Sequence, residues 1–235
     1  MAFEAFAGSL RDALADFSAR PLVFVAGLVV PLVVVSIPAG AVFAVVAIVN
    51  ALAFARFPEF TIAVFLAGVV AELAIAGLGL AAFMRFVFLA RQGGSLVGLL
   101  IDSFEWASGR WLDFFVHLGV LADAAVVLPF ILSRLFPEFF TGLAAASAGL
   151  VLGVAVHFVS FFAVPFMVER EKGVTAAWEE SSAAAFARVP DVALSMVVSL
   201  AVVALAVVPP AGLVLVAALP FLGLAWLRLF ERSEH

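Results

Sequence analysis

Three stretches of this chain, residues 21–55, 139–168 and 192–227, contain no Asp, Glu, Lys or Arg. A helix that crosses a bilayer needs ~20 mostly apolar residues, and each stretch exceeds that length. Two more runs, 60–84 and 114–133, are each interrupted by a single acid, Glu72 and Asp123. The composition agrees: 12% of residues are charged and 66% hydrophobic, against roughly 25% charged in a soluble domain. The fold expected is all-α, a polytopic membrane domain occupying residues 1–235. The spans and their connections use nearly the whole length, which leaves no room for a soluble catalytic domain.

Charge placement sets the number of crossings. As one straight helix, 35 uncharged residues from 21 to 55 would run ~52 Å against a ~30 Å hydrocarbon core. That segment is either one overlong helix kinked near Pro31 and Pro38 or a hairpin turning at 36–40. The final run raises the same choice at Pro209-Pro210. If the first run crosses once and the last is a hairpin, there are six spans. Arg11, Arg20, Arg85, Arg91, Arg110, Arg170, Lys172, Arg188, Arg228 and Arg232 then share one side, with Arg56 and Arg134 opposite. Basic residues near span ends favour the cytoplasmic side. Every other choice weakens that bias, so both termini are expected to be cytoplasmic. The spans fall at about 22–54, 60–88, 112–134, 139–168, 191–208 and 211–228.

The segments between spans on that side look like surface helices. Residues 1–20 place Phe3, Phe6, Leu10, Leu14 and Phe17 three and four apart, an apolar stripe suited to the membrane interface. No basic leader opens the chain, so a cleaved signal peptide is not expected. Further interfacial helices are expected at about 94–110 and 173–188. Aligning Arg91-Gln-Gly-Gly94 with Arg170-Glu-Lys-Gly173, with one residue dropped further on, matches Arg110 to Arg188 and Asp113 to Asp191. The N-terminal segment, ending at Arg20 before Pro21, looks like a third copy. Three units, each a surface helix followed by two spans, are the expected internal repeat. Gly94 and Gly173 are its expected turn positions, since glycine permits a sharp change of direction.

The pattern Phe162-Ala-Val-Pro-Phe-Met-Val-Glu169, then Gly173-Val174, Ala177, Ser181 or Ser182, and Arg188 before the next span, resembles a group of prokaryotic six-span membrane proteins. The group includes uncharacterised archaeal families and the membrane domain fused to some glycerophosphodiester phosphodiesterases. The resemblance implies an integral membrane protein with no assigned reaction, and it transfers no catalytic residue.

Ionisable groups within spans call for a functional hypothesis, because charge at mid-bilayer costs at least ~2.5 kcal/mol. Glu72, His117, Asp123 and His157 are the candidates. Converging inside the bundle, they would form a proton or cation pathway, or a metal site of mixed nitrogen and oxygen ligands. The plainer reading pairs them structurally, with Asp113 and His117 in contact one helical turn apart. The chain has no cysteine, so thiolate sites and disulfides are excluded. Glu179-Glu180 resembles the glutamate pair of intramembrane CAAX-type proteases, but Ala184 stands where that motif needs Arg. No Gly-x-Ser-x-Gly, His-Glu-x-x-His or phosphate-binding glycine loop occurs. The expectation is a non-enzymatic scaffold or accessory component without a cofactor. Its cytoplasmic surface helices would contact lipid or a protein partner and not nucleic acid; the alternative is a small transporter or channel using Glu72 and Asp123.

Overall fold

The computed structural model describes residues 2–53, 58–138, 141–206 and 214–233, and these are helical with no strand among them. The elements are α1 (Ala2–Ala19), α2 (Pro21–Ala53), α3 (Pro58–Gln92), α4 (Leu96–Ala122), a π-turn (Asp123–Val127), α5 (Leu128–Leu135), α6 (Gly142–Val159), α7 (Ala163–Glu169), α8 (Val174–Ala187), α9 (Val189–Ala206) and α10 (Val214–Ser233). By length and hydropathy, Pro21–Val49, Ala63–Gln92, Leu96–Ser133 and Gly142–Glu169 can each cross a membrane. The pair Val174–Ala187 and Val189–Val202, bent by 103°, makes a fifth if taken together. The expected fifth and sixth spans run into residues 207–213, and Pro209-Pro210 and Arg56 lie outside the described residues.

α2 is one helix through Pro31 and Pro38, so the first uncharged run is a single helix, long and apolar enough to cross once, rather than a hairpin. It packs antiparallel to α3 through glycines that admit large side chains. Gly27 faces the ring of Phe86, Gly79 faces Val35 and Gly68 faces Val46. α3 then packs on α4, where Gly77 lies against the backbone of Phe115. Such close approach is how small residues replace the hydrophobic effect as the source of helix association in lipid.

The helix expected at 94–110 is not separated from the span that follows, because α4 continues through Arg110 to Ala122. In the corresponding place α8 stops at Ala187 and α9 starts at Val189. The difference traces to one residue. Pro190 follows Arg188 by two positions and opens α9, whereas Leu112 follows Arg110 by two. A proline lacks the N–H that would continue a helix and its ring crowds the preceding turn. Pro21 plays the same part directly after Arg20, where α1 ends and α2 begins.

Two other prolines shape the middle of the chain. Pro129 cannot donate to Ala125, and the helix widens into the π-turn just before it, where Leu128 N–H reaches the carbonyl of Asp123. Gly149 of α6 then seats against the Ala125 carbonyl, which a Cβ there would meet at 2.3 Å. The expected 139–168 span is broken at 160–162, ahead of Pro165. Ser181 of α8 repairs that break: its hydroxyl accepts from the Phe162 N–H at 2.9 Å and donates to the Val159 carbonyl at 2.9 Å.

The buried core is concentrated at the end of the bundle where the charges lie. Phe24, Phe86, Phe114, Phe162, Met167, Leu224, Leu227 and Phe230 pack there essentially without exposure. Towards the other end, Ile37 (70%) and Phe43 (72%) of α2 point outward, as suits side chains bathed in lipid rather than water.

Candidate functional site

The charged end is built on three arginines. Arg20, just before α2, donates to the carbonyls of Ala90 (3.1 Å) and Gly94, at the end of α3 and in the turn beyond it. Arg110 donates to the carbonyls of Glu171 (2.8 Å) and Lys172, in the turn after α7. Arg188, just before α9, donates to the carbonyl of Arg232 (2.6 Å) near the end of α10. Each guanidinium therefore binds carbonyls at or just beyond a helix end, where intrahelical donors run out. Arg20 and Arg188 also tie the start of one helix to the end of another, and Arg110, midway along α4, ties that helix to the turn after α7. α2 with α3 and α9 with α10 are thereby held antiparallel at this end of the bundle. Burial follows the same spacing: Ala13, Ser103 and Ser181, seven residues before these arginines, are 0%, 1% and 0% exposed. Phe24, Phe114 and Val192, four residues after them, are 1%, 0% and 0% exposed.

The turns correspond at a constant 78-residue offset. Ser95 and Gly173 are both extended N-caps, with φ −79° and −67°. Gly93 and Glu171 both have positive φ, 101° and 53°. Gly94, at φ 126°, uses the freedom of glycine as expected. Gly173 does not, and its turn obtains the positive angle from Glu171 instead. The geometry thus pairs Gly94 with Lys172, which accept from Arg20 and Arg110 respectively, rather than with Gly173.

An ion-pair network spans the same end. Arg91 reaches Glu231 of α10, Glu169 of α7 at 3.6 Å and Asp16 of α1 at 3.9 Å. Arg228 binds Asp16 and Glu231 at 2.6 and 3.0 Å, and Arg232 binds Asp12 at 2.7 Å. The Arg232 hydrogen bond holds the Asp12 carboxyl below its usual range against a small opposing effect of burial. Arg85 donates to the Val168 carbonyl at 3.1 Å and lies over Trp106, 5.0 Å from the ring centroid. Lys172 and Arg170 pair with Glu180. The chain's first helix is thereby fastened to its last, placing α1 and the C-terminal part of α10 at one end of the bundle.

The four intramembrane candidates take separate surroundings. His117 is buried in α4 and its Nδ1 accepts from the Trp178 indole of α8 at 3.1 Å. Asp113 does not pair with His117. It accepts from the Val174 N–H at 3.1 Å, satisfying the first turn of α8, and binds Arg110 at 3.0 Å. The His157 ring meets Phe161 edge-on. Glu72 lines a groove between α2 and α3 with Val42, Phe43, Val46 and Phe65. Asp123 is exposed at the start of the π-turn and does not line that groove. The two histidines thus take different partners, Trp178 for His117 and Phe161 for His157, and only Glu72 of the two acids lines that groove. Among the described residues no three His, Asp or Glu side chains are grouped to hold a metal ion.

The Trp178–His117 bond and the Ser181 bridge are the contacts sequence reasoning missed. Pro165 inside an apolar run was the available signal for the break that Ser181 repairs. Neither family models, curated proteins nor solved structures gave a match to this chain.

Proposed function

We propose that this chain is a six-span membrane protein with cytoplasmic termini, built from three units of surface helix plus hairpin, that serves as a non-enzymatic scaffold. Its charged end holds α1, the first turns of α4, and α8 against lipid headgroups or a partner. The observation that carries this reading is the set of three arginine ties. They recur at matching positions, and all bind backbone rather than leaving guanidinium groups free for chemistry. The resemblance to the membrane domain fused to some glycerophosphodiester phosphodiesterases fits the same role, a membrane unit that serves other components.

Exposed apolar residues on the surface helices support contact with the interface. Leu14 (58%), Ile101 (59%) and Phe186 (64%) project outward beside charged neighbours. A helix lying at the headgroup level buries such residues a few ångströms deep. The transporter alternative draws less support, since Glu72 and Asp123 line different surfaces.

Bimane attached to single cysteines at Ile101 and Phe186, in reconstituted vesicles, tests the reading. Lipids brominated near the headgroup should quench both positions strongly and aqueous iodide weakly. Quenching by iodide alone would remove the membrane-facing role.

A further inference from the structure

We propose that the space between α6, α9 and α10 is a binding site for a neutral single-chain lipid carrying one hydroxyl group. A cavity of about 260 Å³ is roofed by Phe6 and Leu10 of α1 and walled by Leu80, Met84, Phe161 and Trp226. His157, Ser195 and Ser199 open into it. On the other side of His157 and Ser199 a groove of about 400 Å³ continues along Ala125, Gly149, Gly153 and Met196. α6 and α9 pack only sparsely on one another, so the two spaces meet at this histidine and serine.

The chemistry of the walls selects the ligand. Among the described residues no Lys, Arg, Asp or Glu lines either space, which disfavours a phosphate, carboxylate or amine buried there. The lining is almost wholly apolar with a few convergent polar groups, the usual character of a small-molecule site of about 300–1,000 Å³. Among the described residues the side chains of His157, Ser195 and Ser199 make no hydrogen bond, and the Trp226 indole N–H, in the same wall, is buried without a partner. Serines inside a membrane helix ordinarily bond back to their own backbone. Left open towards a cavity, these hydroxyls and the imidazole offer both donors and acceptors. A hydroxyl both donates and accepts, so it matches that mixture better than a carbonyl, which only accepts. The hydrocarbon tail then fills the groove beside the π-turn, along Leu121, Leu150, Val154 and Leu200.

The experiment uses the full chain in nanodiscs with a diazirine-bearing hexadecanol, irradiated and mapped by mass spectrometry. Adducts should concentrate on α6, α9 and α10. Unlabelled hexadecanol should compete about tenfold better than hexadecane, the scale of one or two hydrogen bonds, and better than palmitate. Ser199→Phe, which fills the junction, should abolish the adducts. Val151→Phe, on the outer face of α6, should leave them. Equal competition by hexadecane, preference for palmitate, or adducts spread evenly over outward residues such as Val33 would overturn the proposal. Should Ser199→Phe fail to fold, the competition series on the unaltered chain decides alone. Because no step depends on which side of the membrane the termini face, failure here leaves the scaffold reading untouched.

Discussion

The Arg110 guanidinium donates to the backbone carbonyl of Glu171 at 2.8 Å, across 61 residues of sequence. It does for the turn after α7 what Arg20 does for the turn after α3. Both reach carbonyls at a helix end, and both are followed within four residues by a phenylalanine with essentially no exposure, Phe114 and Phe24.

Removing this tie costs stability without disturbing the apolar packing. Arg110→Gln should lower stability by about 1–2 kcal/mol, the low end for hydrogen bonds to a charged group because the site is partly solvated. Arg110→Lys should recover only part of the loss, since an ammonium cannot span two carbonyls with the planar fork of a guanidinium. Thermal melts in one detergent rank the three proteins. Equal midpoints for all three would remove the tie from the account.

Leu112 keeps α4 straight where Pro190 lets α8 and α9 bend. Leu112→Pro should cost about 3 kcal/mol or more and kink the helix. Spin labels at Ile101 and Ile131, both exposed, should move closer in double electron–electron resonance distances. An unchanged distance distribution would mean that proline is not what separates the two geometries.

Much of this architecture is legible in the sequence, and the parts that are not share a physical cause. Long uncharged runs announce the spans because a bilayer leaves helical residues little alternative. α2 crossing in one piece follows from where the arginines fall. Arg110 and Arg188 stand out as the residues ahead of a span, yet their partners are backbone carbonyls, which any residue supplies and no side chain advertises. The same invisibility hides the Ser181 bridge to Phe162 and Val159. Matching Gly94 to Gly173 by identity misplaces the turn, because Glu171 accepts a positive φ of 53° that the sequence would assign to glycine. Glu72 and Asp123 sit near the middle of neighbouring apolar runs, but spacing along the sequence does not say that Glu72 lines the groove between α2 and α3 while Asp123 does not.

Close approach at Gly149 is a requirement of packing rather than of flexibility. Gly149→Val should destabilise the protein by a few kcal/mol, on the order of an overpacked core site, because its Cβ would meet the Ala125 carbonyl oxygen at 2.3 Å. Gly40→Ala, where a Cβ meets nothing within 4 Å, should be neutral or raise stability by under about 1 kcal/mol through helix propensity. Thermal melts of the two variants should therefore diverge, and similar shifts would contradict the packing.

The fastening of α1 to α10 depends on pH with a defined sign. The folded-state pKa of Asp12 lies below 3.8 because Arg232 stabilises its charged form. Its contribution is complete above that value and is lost as pH falls through the lowered one. A spin label at Leu14 should gain mobility only below about pH 4, whereas Asp12→Asn should be mobile at every pH. The opposite trend, loosening as pH rises, would contradict the assignment.

The account rests on one charged end, closed by arginines, facing the cytoplasm. Because the chain contains no cysteine, single cysteines report sidedness directly. A membrane-impermeant maleimide applied to intact cells should label Thr141→Cys, in the connection before α6, and should reach Glu179→Cys on α8 only after permeabilisation. Labelling of Glu179→Cys in intact cells with Thr141→Cys protected would invert the topology and contradict the proposal.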